Sequence, residues 1–294
     1  MAKVAKVHKE PKGALHDGVE QRYSDPMQRN RYHHLGWFHG IELFEASFSN
    51  QTFARHAHEG FAIGAIGEGA GGYQCRGESM VLPAGSLSLM NPDEPHTGRA
   101  AADRVRYNML YAPEAAVRAV LGLRDLRGFA EIAPQDRGLR VTRALARLSR
   151  SLNSPTEIAG RLEAEEAVHA VLAQAFAHYG GAELRQSGRE PAAIRTLLER
   201  IEAGVADGES LSLSVLAEQV GLNPSYLIRS TTRATGLTPH GHVLRARVDL
   251  ARRLLLDGTP AAEAAIAAGF CDQAHLIRQF RRHYGVTPGA LIRH

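Results

Sequence analysis

Two histidines one residue apart, His56 and His58, are the first feature of this chain that could do chemistry. The imidazole side chain is a common ligand of transition metals and also hydrogen-bonds polar molecules. Two imidazoles alone make a poor closed metal site, which His96 or Glu59 would have to complete. Three interpretations stay open: a metal site, the rim of a pocket for a small polar molecule, and histidines with only a structural role. We predict the pocket rim and no bound metal.

Two pairs of arginines are the second such feature, and both lie in the C-terminal third. Arg229 and Arg233 are four residues apart, as are Arg278 and Arg282, so each pair lies on one face of a helix. An arginine can donate two hydrogen bonds to guanine in the major groove of DNA. The alternative is that such a pair only solvates a helix surface. Because the arrangement occurs twice, we favour DNA contact at all four positions.

Both arginine pairs belong to an internal repeat. Residues 227–239 read LIRSTTRATGLTP and residues 276–288 read LIRQFRRHYGVTP, and Leu, Ile, both Arg, Gly, Thr and Pro coincide at one constant offset. An apolar stripe from Val243 to Leu255 predicts one rigid helix between the copies. Such a joint could place two helices in successive major grooves, ~34 Å apart.

Each copy follows the order helix, tight turn, helix. In the first copy we predict a helix over residues 213–220 capped by Ser212, and a turn at Gly221 that needs positive φ. Asn223 then caps a second helix that has Pro224 at its first position. The matching signals of the second copy are Thr259-Pro260, Gly269 and the cap Asp272. The predicted apolar faces of the two second helices are Leu227, Thr231 and Ala234 in the first copy and Leu276, Phe280 and Tyr284 in the second.

The last hundred residues resemble the DNA-binding domain of the AraC/XylS family of regulators, most specifically over residues 264–288. The resemblance implies seven helices, including a linker helix between two helix-turn-helix units. It also implies base contacts by Ser225, Ile228, Arg229, Gln273, Ala274 and Arg278. One position departs from the family pattern. Thr231 stands where the family usually has Phe, and we expect it to weaken the packing of the first recognition helix.

The N-terminal half reads as many short strands followed by helices. Alternating apolar residues and frequent turn signals between Trp37 and Tyr111 predict a β-sandwich or barrel. Residues 55–59 and 77–85 resemble the two motifs of a cupin barrel, and residues 91–99 are typical of the effector domain attached to AraC/XylS regulators. The resemblance implies a small-molecule effector, and we predict its contacts as Trp37, Arg55, His56, His58, Tyr73 and His96.

The cupin resemblance also bears on metal binding. A metallo-cupin uses two His, a Glu and a further His. Here the Glu position holds Ala62 or Ile63, and the last His position holds Ser88. Two of the four ligands are thus absent, so we expect neither a metal nor another cofactor.

The predicted fold class is α+β, a cupin-like β-barrel with flanking helices followed by an all-α domain. We divide the chain into a mobile arm at 1–32, an effector-binding domain at 33–180, a linker at 181–190 and a DNA-binding domain at 191–294. Apolar residues at helical spacing predict two helices over 141–152 and 162–176. We expect this pair to form a homodimer interface, the alternative being that it packs only on its own domain.

Composition permits these interpretations and excludes others. The net charge is +4 with a pI near 9.2, which suits an anionic partner. Two cysteines, Cys75 and Cys271, cannot form a disulfide framework. No apolar run approaches the ~20 residues of a membrane span, and no secretory signal is recognisable, so we expect a cytoplasmic protein without membrane contact.

The predicted function is sequence-specific DNA binding by a transcription regulator that an effector controls. The resemblance favours an activator, whose partners would be double-stranded DNA, the effector and RNA polymerase. The alternative is a metal-dependent cupin enzyme, an oxygenase or isomerase, fused to a DNA-binding domain. The missing metal ligands argue against the enzyme, and the sequence has no nucleophile elbow, P-loop or dinucleotide fingerprint.

Overall fold

The computed structural model describes residues 30–154, 157–184, 188 and 190–291. Most of the predicted arm, residues 1–29, and residues 185–187 and 189 of the predicted linker lie outside the described residues. Arg31 and Tyr32, which we assigned to the arm, form the start of the first strand. In the described part of the chain, no helix is both long and apolar enough to cross a membrane.

Seven antiparallel strands form the first half of the fold. They are β1 (Arg31–Leu35), β2 (Ile41–Phe48), β3 (Thr52–His56), β4 (Phe61–Cys75), β5 (Glu78–Pro83), β6 (Leu87–Met90) and β7 (His96–Ala112). Strands β4 and β7 are long enough to pair with different strands at their two ends, so each belongs to both layers of the folded sheet. At the ends near Phe61 and Ala112, β7 pairs with β2, which in turn pairs with β1, and β4 pairs with β6. At the other ends, β4 pairs with β5 and β7 pairs with β3. The sheet thereby folds over on itself into the predicted cupin-like barrel.

The bend in the two long strands depends on a glycine. The register of β4 against β7 shifts between Ile66 and Glu68 and again between Gly69 and Gly71, which marks β-bulges. Gly69 has φ +69°, and a Cβ there would lie 1.7 Å from the carbonyl oxygen of Arg104. A side chain at this position would therefore push β7 away and open the barrel.

Three helices cover one face of the sheet: α1 (Glu114–Leu121), α2 (Arg140–Leu152) and α3 (Glu157–His178). The predicted helices at 141–152 and 162–176 are confirmed by α2 and α3. A continuous core joins sheet residues such as Leu43 and Leu110 to helix residues such as Leu145 and Phe176. A second, smaller core lies on the other side of the sheet and includes Phe48 and Tyr73. We call β1–β7 with α1–α3 the barrel domain.

We call the region from residue 190 onward the helical domain, and its described residues, 190–291, form the seven helices that the family resemblance implies. They are α4 (Pro191–Ala206), α5 (Leu213–Gln219), α6 (Pro224–Thr235), α7 (Pro239–Leu256), α8 (Ala261–Ala267), α9 (Gln273–Tyr284) and α10 (Pro288–Leu291). Helices α5–α6 and α8–α9 are the two helix-turn-helix units, and α7 is the linker helix between them.

The predicted caps and turns are confirmed. The Ser212 hydroxyl accepts a hydrogen bond from Val215 N, and the Asn223 side chain accepts from the amides that open α6. Asp272 caps α9 in the same way through His275 N. The turn glycines Gly221 and Gly269 have φ +66° and +80°, where an L side chain would be strained.

The predicted apolar faces of α6 and α9 are correct except in the last turn of each helix. Leu227, Leu276 and Phe280 are fully buried. Ala234 is exposed, and Tyr284 is 36% exposed. Both lie in the last turn of their helix, where less of the domain covers the surface. Tyr284 instead donates a hydrogen bond of 2.5 Å to Asp249 Oδ1 on the linker helix.

Thr231 is fully buried, although it is smaller and more polar than the phenylalanine of the second unit. Among the described residues, its hydroxyl oxygen has no hydrogen-bond partner. A buried hydroxyl without a partner costs roughly 1–3 kcal/mol. Thr231, the residue that departs from the family pattern, thus leaves an unsatisfied hydroxyl group buried inside the first unit.

Replacing Thr231 with valine should stabilise the protein, because a methyl group takes the place of the unsatisfied hydroxyl at nearly the same shape. We expect the free energy of unfolding to rise by about 1 kcal/mol, measured as a higher midpoint in chemical denaturation of the full chain. The control is Thr232→Val, since Thr232 is exposed and its hydroxyl already donates to the Ile228 carbonyl at 2.7 Å. An unfolding midpoint of Thr231→Val that is no higher than that of wild type, or no higher than that of Thr232→Val, would contradict the prediction.

Candidate effector cavity and DNA-binding surfaces

Three histidines meet inside the barrel domain. His56 ends β3 and pairs in register with His96 at the start of β7, and His58 lies in the loop that follows β3. One ring nitrogen from each of the three lies within 4.8 Å of the others. The ring centroids of His56 and His96 are 4.5 Å apart, and His58 lies 4.9 Å from His56. Strand pairing therefore brings together residues that are forty positions apart in sequence.

Backbone carbonyl groups orient two of these rings. His56 Nδ1 lies 2.7 Å from the Ala54 carbonyl oxygen, and His96 Nδ1 lies 2.9 Å from that of Glu94. A carbonyl oxygen can only accept, so each Nδ1 carries the hydrogen and leaves Nε2 with its lone pair. Burial, with the nearby His56 and His96, lowers the pKa of His58 to about 4. Burial likewise lowers the pKa of His96, so both rings are neutral at pH 7.

The histidines line a cavity of about 90 Å³ between the two layers of the sheet. Aromatic side chains form much of its wall, including Phe53, Tyr107 and Tyr111. The His58 ring lies 4.6 Å from the Tyr111 ring, centroid to centroid. Burial raises the pKa of Tyr111 to about 12, so its hydroxyl stays protonated and can donate a hydrogen bond.

Four of the six predicted effector contacts line this cavity: His56, His58, Tyr73 and His96. Tyr73 is buried, and its hydroxyl donates a hydrogen bond of 2.8 Å to the Ile132 carbonyl. It therefore contributes ring surface to the cavity wall.

The other two predicted contacts, Trp37 and Arg55, do not line this cavity. Trp37 lies in the turn after β1 and is 39% exposed, with the Arg161 guanidinium 4.9 Å from its ring centroid. Arg55 is exposed because it is next to His56 on β3, and neighbouring strand residues point to opposite faces.

Sequence reasoning missed Arg99, Tyr107 and Tyr111, which also line the cavity. Arg99 brings a positive charge to the wall, and its guanidinium carbon lies 3.2 Å from where a Cβ of Gly72 would be. The alternation of residues 105–111 contained a signal for the two tyrosines. The alternating pattern identified a strand and showed that the two tyrosines lie on the same face of it. It did not show that this face borders a cavity.

The predicted DNA-contacting residues of the second unit are open to solvent. Gln273, Ala274, Arg278 and Arg282 on α9 are all exposed. Arg282 also lines a cleft of about 480 Å³ between the helical domain and helices α2 and α3. The cleft carries further basic side chains, among them Arg147 and Arg245, so this surface is strongly basic.

The first unit differs, because its recognition helix α6 packs against helices α1 and α3 of the barrel domain. Ser225 is 2% exposed, and Arg229 is partly buried and donates to the Ser225 hydroxyl at 2.6 Å. Ile228 is partly buried against the core of the first unit, whereas Arg233 is exposed. Three of the four predicted contacts of this unit are thus partly or fully covered.

Two close approaches mark the contact by which α1 and α3 of the barrel domain cover α6, and we call this contact the cover. A Cβ on Gly122, which ends α1, would lie 2.9 Å from Nδ2 of Asn223, the residue that caps α6. On α3, burial and the charge of Arg229 lower the pKa of His169 to about 3. The guanidinium predicted to contact bases therefore faces a buried helix of the barrel domain.

Two adjacent carboxylates of α3 hold the helical domain in this position. Glu165 Oε2 accepts a hydrogen bond of 2.6 Å from Leu213 N at the start of α5. Glu166 Oε1 accepts one of 2.6 Å from His240 N at the start of α7. Carboxylates are favoured at helix N-termini, where backbone amides lack partners. We call Glu165 and Glu166 the carboxylate pair.

An apolar contact accompanies the carboxylate pair. Leu162 of α3 is 2% exposed and packs into the core of the first helix-turn-helix unit, with Leu197 and Leu216 among its neighbours. Ten residues later, Leu172 is fully buried in the core of the barrel domain. A single helix thus contributes to the cores of both domains.

Comparison with known proteins agrees with this division. Residues 38–172 match the family described as the AraC-like ligand binding domain, and residues 216–294 match a helix-turn-helix domain. The chain is 28% identical over 242 residues to the uncharacterized HTH-type transcriptional regulator YbfI of Bacillus subtilis, covering 80% of this chain and 86% of that protein. It is also 28% identical over 252 residues to the HTH-type transcriptional activator RhaS of Pectobacterium carotovorum, covering 82% and 88%.

These comparisons confirm the predicted combination of a ligand-binding domain and a helix-turn-helix DNA-binding domain. They support a transcription regulator and not the alternative of a metal-dependent enzyme.

Arg278 and Arg282 should have separable roles on DNA. Arg278 lies in the second turn of α9, where a side chain can reach base edges. We expect Arg278→Ala to cost roughly 1–3 kcal/mol of affinity for the DNA sequence that the protein prefers, and to relax that preference at one or two base pairs. Arg282 lies one turn further on, where phosphate contact is expected. Arg282→Ala should weaken binding to all DNA and lower the salt slope by about one.

The measurement is a binding series at several salt concentrations, on DNA obtained by in vitro selection and on scrambled DNA. Arg195→Ala is the control, since Arg195 is an exposed arginine of α4 outside both units, and it should change neither affinity. If Arg278→Ala weakened both affinities equally while Arg282→Ala weakened only the specific one, the assigned roles would be reversed.

Proposed function

Because the chain belongs to the AraC family of transcription regulators, we propose that it binds specific DNA through α6 and α9 under the control of a small molecule in the barrel cavity. The name of the relative RhaS favours an activator, which would contact RNA polymerase. We place the protein in the cytoplasm, where its DNA lies. The four predicted contacts of α6 and the four of α9 remain the proposed DNA-binding residues.

The observation that carries this proposal is the cover over α6. Helix α6 packs against α1 and α3, and the Arg229 guanidinium lies near His169 of α3, so α6 cannot enter a major groove until α1 and α3 move away. Helix α9 needs no such movement. The described arrangement is therefore a closed state in which one of the two recognition helices is withheld from DNA.

An effector would act by binding more tightly when the domains are apart, since a ligand shifts an equilibrium only by its difference in affinity for the two states. Strand β7 offers a direct connection. Tyr111 faces the cavity, whereas the neighbouring Leu110 packs in the core under α3. A ligand that displaces Tyr111 would thus move a strand that contacts α2 and contributes to the core shared with α3.

A homodimer stays a prediction. Helix α3 is buried between the sheet and the helical domain over most of residues 162–176, which leaves the outer face of α2 as the available part of this pair.

Truncating Leu162 should open the closed state and increase DNA affinity. A buried Leu→Ala change costs roughly 2–5 kcal/mol, and here the cost falls on the contact between domains. Only molecules in the open state can place α6 on DNA, so the apparent affinity for DNA falls as the closed fraction rises. We therefore expect Leu162→Ala to bind the selected DNA about tenfold more tightly than wild type in the absence of effector. Fluorescence anisotropy measures the affinity, and hydrogen exchange of the α6 amides reports the uncovering.

The control is Leu172→Ala on the same helix, which removes a comparable buried side chain from the barrel core alone. It should lower the unfolding midpoint and leave DNA affinity unchanged. Equal affinities for wild type and Leu162→Ala, with α6 equally protected, would show that the cover does not limit DNA binding.

The closed state should also weaken as the pH rises, because of Glu165. Burial raises its pKa from 4.5 to about 7, and opening would return the carboxyl to water and its ordinary pKa. The closed state therefore binds the proton more tightly than the open state does. The stabilisation of the closed state over the open state that comes from protonated Glu165 is complete below about pH 4.5 and is lost as the pH rises to about 7. The loss is on the order of 3 kcal/mol at most.

Glu165→Gln tests this directly, since the amide oxygen still accepts from Leu213 N but carries no charge at any pH. The variant and wild type should bind DNA alike at pH 5, and wild type should bind more tightly at pH 8. A difference between them that stays constant from pH 5 to pH 8 would refute the role of Glu165 ionisation.

A further inference from the structure

We propose that His56, His58 and His96 bind a divalent transition-metal ion such as Zn²⁺ inside the barrel. The proposal concerns the cavity assigned above to the effector. It rests on the proposed function for any part in regulation, but not for the binding of the ion. Sequence analysis predicts no metal, because two positions of the cupin ligand set hold other residues. The structure supplies a different third ligand through the pairing of β3 with β7.

The distances suit three ligands on one ion. Zinc binds imidazole nitrogen at ~2.0–2.1 Å, with roughly tetrahedral geometry, so the ligand nitrogens of such a site lie roughly 3.3 Å apart. Here one nitrogen from each ring lies within 4.8 Å of the others. Binding of the ion would therefore require the side chains to rotate until the three nitrogens come closer together.

The rings are also prepared as ligands. A metal-binding histidine generally donates its other ring N–H to a carbonyl or carboxylate, which fixes the tautomer. His56 and His96 already have this arrangement, through the carbonyl groups of Ala54 and Glu94. Their Nε2 lone pairs are thereby available to an ion. A histidine with only a structural role needs no such convergence of three rings on one point.

The donor set selects the kind of ion. Three imidazoles suit zinc, copper, nickel or iron, whereas magnesium and calcium prefer oxygen ligands, and the described residues that line the cavity include no aspartate or glutamate. A fourth coordination position would face the cavity. Its volume of about 90 Å³ exceeds the roughly 10–15 Å³ that one water needs on this measure, which leaves room for the ion with water or one small anion.

The canonical cupin positions stay unused. Ile63 is fully buried in the core beneath the helices, on the other side of the sheet from the cavity. Ser88 does line the cavity, but its hydroxyl is a weaker ligand than imidazole. The proposed site is thus a three-histidine site with its own third ligand.

The test is a titration of the full chain with Zn²⁺ and with Co²⁺, after treatment with a chelator. All proteins carry Cys271→Ser, since the Cys271 thiol lies 3.4 Å from His275 Nδ1 and would offer a separate site. Calorimetry should give one Zn²⁺ per chain, and bound Co²⁺ should give visible absorption. His58→Ala and His96→Ala should each lower the affinity at least tenfold.

His34→Ala is the matched control, because His34 is an exposed histidine of β1 outside the cavity, and it should leave the titration unchanged. The unfolding midpoint gives a second readout, since Zn²⁺ should raise it for wild type and His34→Ala but not for the cavity variants. If His96→Ala does not fold, His58→Ala alone decides, as His58 lies in a loop.

Absence of stoichiometric binding, or equal affinity in wild type and the cavity variants, would overturn the proposal. The titrations contain no DNA, and the Leu162→Ala experiment contains no added metal. Failure of the metal site and failure of the proposed control of DNA binding are therefore distinguishable.

Discussion

The arrangement of the two domains depends on helix α3, and above all on two carboxylates buried at its middle. Glu165 and Glu166 are 3% and 1% exposed, and burying such groups is costly unless they find hydrogen-bond donors. The donors come from the other domain, as the first amides of α5 and α7. Arg147 of α2 lies 3.1 Å from Glu166 and offsets part of its charge. The interface therefore combines the apolar contact of Leu162 with polar contacts that water can replace when the domains separate, which suits the proposed opening.

The cavity and the interface lie on opposite sides of the same sheet. The inner core around Tyr73 and Phe48 borders the cavity, and the outer core around Leu110 and Phe176 supports α3. Strand β7 contributes to both, so a change of shape on one side is not independent of the other. Close packing makes such a connection stiff, because protein interiors contain few voids that could absorb a displacement.

Much of this architecture could be predicted from sequence because its signals are local. Asn223 and Asp272 cap helices through amides two or three residues away, and turn glycines act at their own position. The interactions that could not be predicted are those between residues that are distant in sequence. Leu213 is 48 residues from Glu165, and His240 is 74 from Glu166, so neither contact leaves a periodic trace. Arg55 lies away from the cavity for a related reason, since the direction of its side chain depends on its position in strand β3 and not on residue type, and Trp37 lies in a turn outside the strands.

The unequal exposure of the two recognition helices has a kinetic consequence. With α9 open and α6 covered, the protein can rest on DNA through one groove, held largely by phosphate charge that is indifferent to sequence. Such a molecule would slide along the duplex and meet its target without dissociating. If the proposed opening uncovers α6, that helix would find a groove one turn away already in place, so the response time would be set by a movement within the protein rather than by a search through the cell.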